Sequence, residues 1–304
     1  MLISAVIPTY KREHLLKDAV ESVLSQQVDD ADVEVVVVND AGEPLAVADW
    51  QRDPRVRIAD TYRTERSVAR NAGAAISRGD YLHFLDDDDI ILPGAYAALL
   101  EAIRKSSDVV LGVGRYEAVF DEGRYVKIVE PVADERLFAV LVAGIGIPLG
   151  ACLVKRDAFF RAGCFDPTFN IMEDLDLLQR LILLGRVEAT NSTVARFRMG
   201  GHLLSTTTWA LGAQACRLQR EKAFQLPGCY VELRRSLRHS ASSQIRGNLV
   251  RYYLGSSVRH IRNANFLTSI DRFLMALGLA VPGMFSRKFW SGVSGKLPAE
   301  LIIN

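Results

Sequence analysis

The strand-like run Tyr81-Leu82-His83-Phe84-Leu85 stops on four consecutive aspartates, Asp86 to Asp89. Adjacent carboxylates repel one another and resist burial, so an apolar run that ends on them must leave a core where something positive compensates. The flanking pattern says what kind of core it is. Short β-type runs (Ile3 to Pro8, Val33 to Val38, Val56 to Ala59, Asp80 to Leu85) alternate with helical patterns. One helix face carries Leu16, Val20, Val23, Leu24 and Gln27; a second helix, from about Ser67 to Ile76, turns Ala69, Ala72 and Ile76 inward. This alternation predicts parallel strands joined by crossover helices. Such a sheet binds ligands beyond the carboxyl ends of its strands, which is where the aspartates fall.

Further along, Pro93 suits the first turn of the next helix, and Asp108 to Val113 reads as a strand. Gly114 to Val129 reads as a hairpin around Asp121-Glu122-Gly123, and Ala151 to Val154 as another buried strand. Met172 to Leu184 is a helix closed by Gly185. After Ser205 the texture turns to long Arg-rich helical patterns, which sets a boundary near residue 204: an α/β domain over 1–204 and a helical region over 205–304.

Charge divides at the same place. The 304 residues carry a formal net charge of +1, composed of −9 over residues 1–204 and +10 over 205–304. Arg217, Arg220, Arg234, Arg235, Arg246, Arg251, Arg259 and Arg262 alternate with apolar residues at helical spacing, as on helices that lie on an anionic membrane surface. The apolar stretch Phe273 to Phe285 is shorter than the about 20 residues of a span, and with Arg287, Lys288, Phe289 and Trp290 it fits the interface instead. A packing or oligomerisation domain with solvated arginines is the competing reading. Nucleic acid is not expected as a partner, because no binding motif accompanies the charge. Met1 leads straight into a strand without a signal-peptide pattern, and the four cysteines lack metal-type spacing. Both point to the cytoplasm, with peripheral attachment at the inner face of the cell membrane.

An Asp-x-Asp spacing puts two side chains on one side of an extended segment, so Asp86 and Asp88 can converge on a site that Asp87 faces away from. Hard divalent cations such as Mg²⁺ or Mn²⁺ take oxygen ligands of this type and bridge them to phosphates. The plainer alternative is a solvated acidic turn before the following helix.

Four segments, Ala5-Val6-Ile7-Pro8-Thr9-Tyr10-Lys11-Arg12, Val36-Val37-Val38-Asn39-Asp40-Ala41-Gly42, Ser67-Val68-Ala69-Arg70-Asn71-Ala72-Gly73 and Phe84 to Asp89, occur in this order. With Gly150 to Val154 and Phe169-Asn170-Ile171-Met172-Glu173-Asp174-Leu175-Asp176, they resemble family 2 glycosyltransferases of the GT-A fold over roughly residues 1–205. The resemblance implies a Rossmann-like, mixed and mostly parallel sheet flanked by helices. It also implies metal-dependent, inverting transfer of a sugar from a nucleotide-diphosphate donor to an acceptor hydroxyl in polysaccharide or glycoconjugate assembly. Pro8, Thr9, Tyr10 and Arg12 would cradle the nucleoside, Asp40 would contact the base, and Arg70 the base or diphosphate. Asp86, Asp87 and Asp88 would meet the donor, with Mn²⁺ or Mg²⁺ on Asp88 and Asp86. Asn39-Asp40-Ala41-Gly42 departs from the family's frequent Asp-Asp-Gly-Ser, which leaves the base open while favouring a UDP-sugar.

By the same resemblance Asp174 is the base that takes the acceptor's proton, with Glu173 on the acceptor side. Arg198 and His202 would meet the diphosphate, and His202 is also a candidate metal ligand. The acceptor is a glycan or a lipid-linked molecule, and oligomerisation stays open. Two rivals differ in chemistry. A sugar-nucleotide nucleotidyltransferase normally carries an early glycine-rich phosphate loop, which Pro8 to Arg12 does not supply. A non-catalytic nucleotide- or glycan-binding module would tolerate loss of Asp174.

Overall fold

Residues 1–120, 125–199, 209–238, 243–282 and 284–296 are described by a computed structural model. β1 (Leu2–Thr9) and β2 (Asp32–Asn39) flank the crossover helix α1 (Glu13–Leu24), and β3 (Val56–Asp60) is followed by α2 (Glu65–Ile76) and β4 (Tyr81–Phe84). These four strands lie side by side in the order β3-β2-β1-β4, all parallel. The Val- and Ile-rich stretches of β1 and β2 are continuous rather than alternating because both faces of the sheet are covered there, whereas edge strand β3 is only partly buried. Ile3, Ala5 and Ile7 share one core with Leu16, Val20 and Val23 of α1. Val6 and Phe84 face the other way, toward α2 and the Phe159–Phe165 aromatic cluster.

Beyond β4 the sheet changes direction. β5 (Ile90–Ile91), α3 (Ala95–Ile103), β6 (Val109–Phe120), β7 (Tyr125–Val129), β8 (Cys152–Lys155), α5 (Arg156–Arg161) and β9 (Arg186–Arg198) complete this part. β8 pairs antiparallel with β4 and β6, β7 pairs antiparallel with β6, and β9 runs parallel to β6 and antiparallel to β5. The hairpin expected over Gly114–Val129 is the β6–β7 pair, in which Phe120 opposes Tyr125. The aspartate run connects central β4 to edge strand β5, so it lies along the carboxyl ends of the parallel strands.

Three local expectations need correction. Pro93 is not in a helix: it sits in a turn ahead of Gly94, whose φ of +76° caps α3. α2 turns Ala69, Arg70, Gly73 and Ala74 inward and leaves Ile76 exposed. Gly73 decides that rotation, because a Cβ there would come within 2.4 Å of Val6 Cγ1, so only a glycine lets the helix sit this close to β1. Gly185 does not close its helix with a left-handed cap. It follows α6 (Glu173–Ile182), and a Cβ on it would strike the Asp108 carbonyl at 2.4 Å.

The chain divides into two compact units, one of residues 1–133 with 147–215 and one of residues 134–146 with 216–304. The second contains α4 (Leu137–Val142), α8 (Cys229–Ser236), α9 (Ser243–Arg262), α10 (Phe266–Ala280), α11 (Arg287–Val293) and most of α7 (Trp209–Gln225). Several of its arginines are internal. Arg220 donates to the Val142 and Ala143 carbonyls at the end of α4, and Arg272 to the Phe224 carbonyl near the end of α7. Arg246 donates to the Leu237 carbonyl just past α8. These guanidiniums satisfy carbonyls that a helix leaves unpaired at its carboxyl end.

Candidate active site

The ends of the parallel strands supply the side chains. At the end of β1, Thr9 Oγ1 donates to Asp87 Oδ2 at 2.7 Å. Arg12, just past it, reaches Asp87 Oδ1 at 2.5 Å and Asp88 Oδ2 at 2.8 Å. Asp87 is fully buried, so the second aspartate faces inward and ties the first loop to the aspartate turn. Burial pushes its carboxyl up to about 6 against the pull of Thr9 and Arg12.

Asp86, Asp88 and Asp89 point the other way, each offering a carboxylate oxygen within 4.8 Å of the others. Burial, and then the charges of Asp86 and Asp88, push the Asp89 carboxyl up to about 9, although it accepts a bond from the Arg198 N–H at 3.2 Å. A set of hard oxygen donors, offset only in part by Arg12 at Asp88 and Arg70 at Asp86, fits a divalent cation such as Mg²⁺ or Mn²⁺. Asp89 thus joins the pair expected from the Asp-x-Asp spacing. It does so because the chain turns back after Asp88, with the Asp89 N–H bonded to the Asp86 carbonyl at 3.2 Å.

The structure therefore predicts a pH-dependent response to cations. A carboxyl raised in the fold contributes stability that is fully present below its unfolded value and is lost progressively as pH rises toward about 9. A fixed Mn²⁺ concentration, a hundredfold above the Kd at pH 8, should add about 2–3 kcal/mol of stability at pH 8 and raise the thermal midpoint less at pH 5, where a protonated Asp89 weakens binding. Asp89→Asn should raise the midpoint without cation and shrink the cation's effect. Equal melting shifts at both pH values would count against the site.

Arg70 is the hub on the α2 side. Only 4% exposed, it donates from Nη2 to Asp86 Oδ1 at 2.5 Å and from Nη1 to Glu173 Oε1 at 2.9 Å. Burial disfavours its charge, but the Asp86 and Glu173 carboxylates outweigh that and raise its pKa. The reciprocal effect holds Asp86 below the usual range: burial works to raise it, and Arg70 and Arg66 overcome that. Glu173 is buried against Arg70, with Arg66 Nη1 at 3.5 Å.

Asp174, half-buried at the start of α6, is pushed up to about 6 by burial and by Glu173, against the Leu175 N–H that it accepts at 2.8 Å. Met172, with φ +69°, caps this helix and turns Glu173 and Asp174 into place. Lys11 and Arg63, on the loops around the cleft, and Glu65, the first residue of α2, also have positive φ. Each such non-glycine residue costs roughly 1–2 kcal/mol, and this kind of strain gathers at functional sites.

Between these elements lies a cleft of about 490 Å³ lined by Pro8, Thr9, Tyr10, Arg12, Asp40, Arg63, Glu65, Arg66, Ala69 and Asp86. Five of the residues singled out in the sequence for donor binding converge there with Asp86, and Arg70 lies beneath. Arg63 and Arg66 are additions that helix periodicity alone could not distinguish from solvated arginines. Asp40 is engaged by the protein itself, accepting from Thr61 Oγ1 at 2.7 Å and from the Thr64 N–H at 2.9 Å. Arg198 meets the acid cluster through its backbone, and its guanidinium lies 3.8 Å from Asp18. His202 lies outside the described residues. His83 is a core residue: Nε2 bonds the Gly150 carbonyl and Nδ1 the Tyr96 hydroxyl, both at 2.9 Å, and burial lowers its pKa to about 4.

A glycosyltransferase of Haemophilus influenzae is 28% identical over 187 residues, covering 60% of this chain and 62% of the relative. EpsJ of Bacillus subtilis, a glycosyltransferase, is 31% identical over 187 residues, covering 57% of this chain and 54% of EpsJ. The chain thus spans less than two thirds of the length of these relatives. Among solved structures, TarS 1-349 of S. aureus in complex with UDP-GlcNAc shares the fold with a TM-score of 0.62 and 16% identity, over 93% of this chain and 92% of that one. The profile of Glycosyl transferase family 2 matches residues 4–161, just over half of the chain and the part that contains β1, the aspartate turn and the cleft-lining residues. On that match, the chain belongs to glycosyl transferase family 2.

Proposed function

We propose that the protein transfers a sugar, with inversion, from a UDP-sugar to an acceptor hydroxyl on a glycan or lipid-linked molecule. The observation that carries this reading is the convergence on Arg70 of Asp86, at the acidic cluster, and Glu173, 103 residues away and next to Asp174. The aspartate cluster and the Glu-Asp pair thus belong to one constellation. The UDP-GlcNAc complex of TarS supports a uridine donor by analogy of fold.

In this reading Tyr10, Arg12 and Arg66 hold the nucleoside and phosphates along the cleft. Asp86, Asp88 and Asp89 hold Mn²⁺ or Mg²⁺, which when bound offsets the charge of the leaving diphosphate. Arg70 fixes Asp86 and Glu173 in one geometry. Asp174 takes the acceptor's proton, and its value of about 6 keeps it ionised near neutrality while raising its basicity above that of a free aspartate. The acceptor is presented at the inner face of the cell membrane.

The test is incubation with Mn²⁺ or Mg²⁺ and a panel of nucleotide sugars, following nucleoside diphosphate release with and without lipid acceptors. Pyrophosphate release from a nucleoside triphosphate and a sugar phosphate would support a nucleotidyltransferase instead. A pH profile follows from the same site. Because Asp174 must be deprotonated to act, kcat/KM should fall about tenfold per pH unit below about 6 and level off above it. A flat profile down to pH 5 would remove Asp174 from the base role.

A further inference from the structure

α10 buries Ser269, Arg272, Ala276 and Leu279 and turns a different set outward. Leu267, Ile270, Leu274, Leu277 and Val281, all exposed, recur at alternating spacings of three and four and so form one continuous apolar stripe. Leu267 is 84% exposed and Phe285, just beyond the helix, 92%. A stripe of this size on a helix that already has a packed face calls for a partner.

The surroundings of the stripe identify the partner's charge. Exposed Arg262 precedes it in the chain, and exposed Arg287 and Lys288 follow it. The one acid on α10, Asp271, lies 3.6 Å from Arg272. A second copy of the chain is a poor fit, because a two-fold interface sets the same patch against itself and would bring these cations together. Residues 205–304 contain only four carboxylates to relieve that repulsion, and Glu221 is already engaged by Arg259 and Ser256.

The stripe is also too short to span a membrane. α10 has 15 residues, about 22 Å, against the ~30 Å of a hydrocarbon core, and no described helix is long and apolar enough to cross. Trp290, 58% exposed with its indole N–H bonded to the Met284 carbonyl at 2.7 Å, has the half-apolar character of interfacial anchors.

We infer that the outward face of α10, with Phe285 and the Arg287-Lys288 pair, lies on an anionic lipid surface, its apolar stripe at the level of the headgroups. This deepens the lipid-linked acceptor reading but rests on surface features alone.

The test is co-flotation of the full chain with phosphatidylcholine vesicles, with and without about one part in four of phosphatidylglycerol. Wild type should float with the anionic vesicles and not with the neutral ones, and added salt should weaken binding. Leu267→Ser with Phe285→Ser, at sites too exposed for truncation to open a cavity, should weaken binding at least tenfold, as should Arg287→Glu with Lys288→Glu. UDP binding by calorimetry and transfer to a water-soluble acceptor should be unchanged in both. Failure of transfer in every form, with vesicle binding intact, would strike the catalytic reading alone. Absent wild-type flotation, or equal flotation of the variants, would overturn the inference. So would a concentration-dependent dimer that Leu267→Ser disperses in the absence of lipid.

Discussion

Asp174→Asn should lower kcat by roughly 10²–10⁴-fold while leaving UDP affinity and the fold intact. The substitution keeps the shape of the side chain and an oxygen for the Leu175 N–H, now bonded at 2.8 Å, so this hydrogen bond at the start of α6 survives. What it removes is the acceptor of the proton. The stability outcome separates catalysis from structure. Burial and Glu173 hold the Asp174 carboxyl at about 6, so its ionised form is disfavoured in the fold and costs stability above that pH. The variant should therefore melt at the same temperature as wild type or higher at pH 8. A variant that melted lower, or that turned over at the wild-type rate, would contradict the assignment.

Arg70→Leu should have the largest effect on stability, about 3 kcal/mol, measured by denaturant or thermal unfolding. Removing one partner of a buried ion pair typically costs about 3–5 kcal/mol because the other charge is stranded. The lower end applies here, since Asp86 is about a third exposed and Arg66 stands 3.5 Å from Glu173. The acid limb should change as well. Arg70 holds the Asp86 carboxyl low in the fold, a contribution present at neutral pH and lost as pH falls through that depressed value. Without Arg70 this part of the acid sensitivity should disappear. Arg70→Lys should recover only part of the loss, because an ammonium cannot fork between Asp86 and Glu173.

The parallel half of the sheet was legible because β1, β2 and β4 are buried on both faces and so read as unbroken apolar runs ending in polar residues. β9 was not, for its thirteen residues are largely polar and partly exposed, and it is a strand because β6 pairs along most of its length. In the site, strand-end positions carried the information: Thr9, Asp40 and the aspartates all fall where parallel strands stop. The Asp-x-Asp spacing sets Asp87 on the side opposite Asp86 and Asp88, but not its partners: the bond from Thr9, 78 positions away, is one that no spacing rule encodes. On α2, Ala69 faces inward as its spacing predicts, but Gly73 takes the place expected for Ile76: Ile76 outweighs Gly73 on any hydrophobicity scale, whereas the close approach to Val6 favours the glycine.

α4 gives the protein an unusual order of assembly. Its six residues, Leu137 to Val142, are all buried, and α8 and α9 are the helices packed on it within its unit. During synthesis those helices appear some 90 residues later, on the order of ten seconds at about 5–20 residues per second. For that interval the growing chain carries this apolar segment without α8 and α9. A nascent chain released at residue 204 would keep the segment and never receive its cover, making it a natural substrate for chaperones and for aggregation.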